Sequence, residues 1–198
     1  MRYAPAAVVT FMLFAAPPTK AAGPAVVAQI NGAPVVTRAG QSTPLQVGGA
    51  LMIGDVVGTD ERSKVRIVFA DDSVLAIGPK TQIALDEFVL ESTTRKSRLR
   101  VLAGRFKIAI AKFIAGSTDY EIRTPTAVAG VRGTILWGDT DLDAICALDG
   151  TIEVRTLSGP AAALSTGQCV HEMKSGTVQP LTPSAADLAA YLKEVTLE

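Results

Sequence analysis

The 198-residue sequence predicts an all-β domain closed by one short C-terminal helix, and three observations carry that prediction. From Val26 onward, short runs alternate apolar and polar residues with a period of two. Turn signals separate these runs, among them Asn31-Gly32, Asp71-Asp72-Ser73 and Asp149-Gly150. No apolar run of helical period occurs before residue 183. At least eight short strands with glycine-rich turns fit a sandwich, a barrel or a solenoid, and alternation alone does not choose among them.

The chain opens on a secretory signal. Arg2 supplies the positive end, Ala4 to Ala16 is an apolar stretch shorter than a membrane span, Pro17 and Pro18 close it, and small residues follow at Thr19, Ala21 and Ala22. Cleavage after Ala21 places Thr19 and Ala21 at the two small-residue positions, so residues 1–21 are expected to be removed; the alternative is an uncleaved anchor. A β domain over 25–182 and a helix over 183–198 complete the expected organisation.

Within the β domain, Val26 to Ile30 and Ala33 to Val36 flank Asn31-Gly32, a pair suited to a two-residue hairpin. Lys64 to Phe69 places Val65, Ile67 and Phe69 on one face, and Asp71-Asp72-Ser73 turns it into Val74 to Ile77 as a second hairpin. Ile83 with Leu85, Leu99 with Val101, and Phe106, Ile108 and Ile110 continue the period of two. Tyr120 and Ile122 alternate up to Thr124-Pro125, where proline argues for a turn. Ala144, Cys146 and Leu148 are expected to face inward and to lead through Asp149-Gly150 into Ile152 and Val154 as a third hairpin. In the last segment Thr182 is the expected N-cap with Pro183 at the first helical position, and Leu188, Leu192 and Val195 are the face that packs on the sheet.

Composition removes several classes of function. Lys+Arg and Asp+Glu are both 19, so there is no basic footprint for nucleic acid, and removal of the signal leaves the chain slightly acidic. Two cysteines and one histidine cannot build a four-ligand structural zinc site. His171-Glu172-Met173-Lys174-Ser175 has Ser where a zinc-protease helix has its second His. Asp139, Asp141 and Asp143 imitate the start of a calcium loop, but Ala144 and Gly150 stand where an EF-hand has Gly and Glu. Gly78-Pro-Lys-Thr81 is not a phosphate loop, and there is no nucleophile elbow. No catalytic, cofactor or metal residue is therefore assigned.

Four stretches in order carry a family resemblance. Tyr120-Glu-Ile-Arg-Thr-Pro-Thr-Ala-Val-Ala-Gly-Val-Arg-Gly-Thr134 is similar to the hallmark of the FecR domain, with Thr124-Pro125 and Val131-Arg132-Gly133-Thr134 as its fixed points. Asp149-Gly150-Thr-Ile-Glu-Val154 resembles the strand that follows it in that family. Phe69-Ala-Asp-Asp-Ser-Val-Leu75 resembles an earlier turn, with Asp72 where glycine is usual, and Leu51 to Thr59 with Gly54-Asp55 resembles a Gly-Asp stretch. The resemblance implies a β-solenoid-like or β-sandwich module of the extracytoplasmic kind, without the cytoplasmic part that controls a sigma factor. It implies a periplasmic or secreted protein that recognises an envelope protein partner, with no nucleic acid and no stable membrane insertion after signal removal. A structural module that self-associates by strand pairing is the alternative.

Two residue-level expectations complete the reading. Arg132, in an apolar stretch, is expected to turn inward as a clasp that ties neighbouring turns. Cys146 and Cys169 are an even pair in an exported chain, so a disulfide is expected between them.

Overall fold

The computed structural model describes residues 23–114 and 116–197, so the segment expected to be a signal peptide, residues 1–21, lies outside the described residues. The described residues form seventeen strands, one α-helix and a 3-10 turn at Met173–Ser175. The first half holds β1 (Ala25–Asn31), β2 (Val35–Arg38), β3 (Gln41–Pro44), β4 (Ala50–Leu51), β5 (Val56–Gly58), β6 (Lys64–Phe69), β7 (Val74–Ile77), β8 (Gln82–Leu90) and β9 (Thr94–Ala103). The second half holds β10 (Arg105–Ala109), β11 (Ser117–Arg123), β12 (Ala127–Val131), β13 (Ile135–Asp139), β14 (Ala144–Asp149), β15 (Thr151–Thr156), β16 (Ala161–Ser165), β17 (Cys169–Val170) and α1 (Ala185–Lys193).

The strands form two sheets around one core. The first sheet runs β17-β14-β13-β10-β7-β6-β1-β4, and the second runs β16-β15-β12-β11-β9-β8-β5-β2-β3. The chain advances along both sheets, crossing between them every one or two strands. The result is a two-sheet sandwich, not a closed barrel. The period-two pattern explains it: Val65, Ile67 and Phe69 of β6, Leu75 and Ile77 of β7, and Ile122 of β11 all point into one buried cluster. Burial of each such side chain is worth about 1.5–3 kcal/mol.

The β6–β7 hairpin forms as its sequence demands, with Val68 opposite Val74 and Asp72 at φ 64°. The other two expected hairpins do not form. β1 pairs with β4 and β6, whereas β2 pairs with β3 and β5, so Asn31-Gly32 is a corner between sheets. There, Gly32 has φ 86° and a Cβ on it would lie 2.3 Å from Ser63 Oγ, which accepts the Ala33 N–H. Asp149-Gly150 is likewise a corner, because β14 belongs to the first sheet and β15 to the second.

That second corner also inverts the expected face of β14. Ile145 and Ala147 enter the main core, and Ala144, Cys146 and Leu148 look outward. They are nevertheless covered, because the C-terminal segment lies over them. α1 is capped by Ser184, whose Oγ accepts from Asp187 N–H, so the helix begins two residues beyond the expected Thr182 cap and Pro183 precedes it. Tyr191 stacks on buried Trp137 with 4.5 Å between ring centres, while Leu192 and Val195 pack beside it. Tyr191 takes the leading place expected of Leu188. Cys146 and Cys169, directly opposite each other on β14 and β17, are joined by a disulfide in the same layer.

Candidate interaction site

The segment from Tyr120 to Thr134 forms one edge-to-corner unit. Tyr120 and Ile122 of β11 are buried, and Thr124 to Ala127 closes the β11–β12 hairpin with Thr124 N–H donating to Ala127 O at 2.8 Å. Pro125 and Thr126 are the two loop residues, so proline sits where its fixed φ costs nothing. Thr124 Oγ1 accepts the Ala127 N–H at 3.0 Å. Thr126 Oγ1 donates to Asp143 Oδ1 at 2.5 Å, and Asp143 Oδ2 accepts the Lys174 N–H at 2.7 Å. Of the carboxylates that imitate a calcium loop, Asp143 thus ties three segments together. Asp139 is engaged by Arg105 and by the N–H of Asp141.

Strand β12 alternates strictly. Ala127, Ala129 and Val131 are buried, Gly130 is exposed on the outer face of the second sheet, and Arg132, in the bend just beyond the strand, is exposed beside it. Arg132 is therefore no clasp: its side chain reaches water and makes no ion pair or hydrogen bond with the described residues. The reason is parity, since Val131 takes the inward position and its neighbour must face out. Gly133 then turns the chain at φ 63° into the first sheet, and Thr134 is 1% exposed, with its carbonyl accepting the Ile110 N–H.

The two corners of the hallmark pack on each other. Gly150 has φ 80°, and a Cβ there would lie 2.8 Å from Thr134 Cγ2. Thr134 Oγ1 in turn donates to Thr151 O at 3.4 Å. The chain leaves the second sheet at Arg132-Gly133-Thr134 and re-enters it at Asp149-Gly150-Thr151, in contact at the crossing. Gly150→Ala combines a positive φ with a clash, so it is expected to cost about 1–3 kcal/mol. Denaturant unfolding that gives a smaller loss than Asp149→Ala would remove this account of the corner.

Outside, the hallmark borders a shallow groove of about 410 Å³. Gly130 and Ala163 leave its floor low, and Thr151, Glu153, Arg132 and Asp119 surround it. The rest of that sheet face is neutralised by ion pairs. Glu87 meets Lys96 and Arg98, Arg98 meets Asp119, Arg100 meets Asp86 and Arg123 meets Glu121. Hydrogen bonds from Lys96 and Arg98 hold the Glu87 carboxyl below its ordinary range. Arg132, Glu153 and Arg155 stand apart from this lattice, exposed and without a charged partner among the described residues.

The buried arginine is instead Arg95, 1% exposed on β9. Its Nη1 donates to Asp71 Oδ2 at 3.1 Å and to Ala111 O at 2.6 Å, and its guanidinium lies 5.4 Å from the Phe113 ring centre and 5.6 Å from that of Tyr120. Asp71 also accepts from the N–H and hydroxyl of Ser73. Burial pushes the Tyr120 hydroxyl far above its usual range, so it stays protonated. Sequence reasoning missed Arg95, although the signal was present: Leu99 and Val101 point inward, and the period of two carried back gives Ser97 and Arg95.

Toward the β3 end of the second sheet, Arg38 binds Asp55 Oδ1 and Oδ2 at 2.7 Å each, and Met52 N–H adds a third bond at 2.8 Å. Burial alone would raise the Asp55 carboxyl, but Arg38 and the Met52 N–H outweigh it and hold it low. This explains the Gly54-Asp55 stretch as a brace between β2 and the loop before β5.

Fold and surface together define a two-sheet β domain whose sequence motifs make sheet crossings and one exposed face. The family model described as FecR protein matches residues 55–162, over half of the chain. The chain belongs to the FecR family. Two crystal structures of a candidate anti-sigma factor from Parabacteroides distasonis ATCC 8503 share the fold, at 14% identity and a TM-score of 0.55. Each similarity covers 69% of this chain, which spans 64% and 63% of those two chains, under two thirds of their length. A comparison with curated proteins finds no match.

Proposed function

We propose that this chain is an exported, non-catalytic recognition module of the bacterial envelope, periplasmic or secreted, that signals by binding an envelope protein partner. One observation carries the reading. In a chain of the FecR family, the hallmark strand presents Gly130 and an unpaired Arg132 on an open sheet face, where neither contributes to the core. Exposed residues placed on a rigid scaffold, in a groove with low walls, suit contact with another surface. Export is supported by the signal anatomy of residues 1–21, and a disulfide in the folded domain suits an oxidising compartment.

The test is photo-crosslinking in the native envelope from a benzoylphenylalanine introduced in place of Arg132. A discrete adduct to one envelope protein, lost when the probe is moved to Lys64 on the opposite sheet, is the expected result. Adducts of equal yield from both positions, or none from Arg132, would overturn the proposal.

A further inference from the structure

A sandwich has four sheet edges, and in this one three are capped, cut short or blunted by proline. In the first sheet, Cys169 N–H and C=O are both taken by Leu181 at 2.8 Å, and β4 at the other end is two residues long. In the second sheet, β3 ends in Pro44, which has no N–H to offer. The remaining edge is β16, Ala161-Ala-Ala-Leu-Ser165, paired on one side with β15 and bearing no charge or proline within it. Natural edges are ordinarily blunted by such residues.

The ladder shows which groups are free. Thr156 N–H donates to Pro160 O at 2.9 Å, so by alternation Ala162 and Leu164 bond to β15. The N–H and C=O of Ala161 and Ala163 then point to the open side. Ser165 N–H and C=O are taken by Gln168, which ends the free run. Ala161 and Ala163 are exposed and make no hydrogen bond across that side with the described residues.

Charge tells what fits there. Arg155 lies opposite Ala161 and Glu153 opposite Ala163, both on the outer face, both unpaired. A strand added to β16 would stand about 10 Å from β15, two interstrand spacings, with only alanine between. Side chains of opposite charge on the added strand, crossing the two alanines, reach Arg155 and Glu153. We propose that β16 accepts an extended segment of a partner protein as an added strand, the segment carrying one acidic and one basic residue two positions apart on its outward face. This rests on the recognition reading above and specifies its partner. A second copy of this chain would present another uncharged Ala-Ala-Ala-Leu-Ser edge, leaving Glu153 and Arg155 unanswered.

The full disulfide-bonded chain is titrated with three capped peptides, Thr-Val-Asp-Val-Lys-Val-Thr and its versions with two Asp or two Lys. The mixed-charge peptide is expected to bind at least tenfold more tightly than either other, to shift the Ala161 and Ala163 amide resonances and to slow their hydrogen exchange. Ala163→Pro removes an outward N–H but no bond to β15, so binding should fall at least tenfold with the melting temperature nearly unchanged. Should that variant melt early, Glu153→Gln with Arg155→Gln serves instead, and should bring the three peptides to equal affinity. Equal binding by the native chain, shifts away from β16, or no binding at millimolar peptide would overturn the proposal. So would a dimer of the native chain that Ala163→Pro dissolves, since the edge would then belong to a second copy. An Arg132 crosslink that persists beside such a failure would leave the recognition reading standing.

Discussion

Arg95→Met is expected to destabilise the domain more than any other single surface-neutral change, by about 3–5 kcal/mol. The Asp71 side chain is 2% exposed and that of Arg95 is 1% exposed, so removing the arginine leaves a carboxylate in the core with only Ser73 to bond it. For a domain of this size that loss lowers the melting temperature by roughly 10 °C. Methionine keeps the length of the aliphatic stem and loses only the guanidinium that lies over Phe113 and Tyr120, so the deficit reports the charge and its ring contacts rather than a large cavity. The companion variant, Arg95→Met with Asp71→Ala, removes both charges and should recover a large part of the loss. Calorimetric melts of both variants decide it: a double variant at least as damaged as the single would show that the pair acts through packing alone.

What the sequence disclosed, and what it hid, follows from the sandwich. Period-two alternation locates a strand and its two faces: it gives β6 and β7, with Asp71-Asp72-Ser73 as the turn between them, and β9, β10 and β11. It does not say which sheet a strand joins. A glycine at positive φ serves a two-residue hairpin and a crossing between sheets equally well, so Asn31-Gly32 and Asp149-Gly150 looked like hairpins and are corners. Nor does alternation say which face is inner where both are covered. Strand β14 is buried on both sides because α1 and Val195 lie over it, and Cys146 was assigned to the wrong one. The charges failed in opposite directions. Arg132 drew attention because its neighbours are apolar, yet parity turns it outward. Arg95 sits among charged residues, and only the inward positions of Leu99 and Val101 betray it.

The disulfide carries the other large effect. Cys146 and Cys169 close a loop with a sequence separation of 23, for which the chain-entropy model gives about 3 kcal/mol of stability. Cys146→Ala with Cys169→Ala should therefore lower the melting temperature by roughly 6–12 °C. The position makes the bond more than a constraint on the unfolded chain. β17 is two residues long, and Cys169 holds β14 on one side and Leu181 on the other, so the bridge anchors the point from which the chain runs on to α1. Without it, hydrogen exchange at Cys146, Cys169 and Leu181 positions should quicken before that of Ile67 or Ile122 in the main core. Trp137 keeps Tyr191 stacked on it, since that contact needs neither sulfur, so the fine tryptophan bands of the near-ultraviolet circular dichroism should persist while the broad disulfide contribution is lost. The same melts run with and without reductant separate bond from side chain. The native chain should lose stability in reductant and the double alanine variant should not, and a native melt indifferent to reductant would deny the bridge its share in stability.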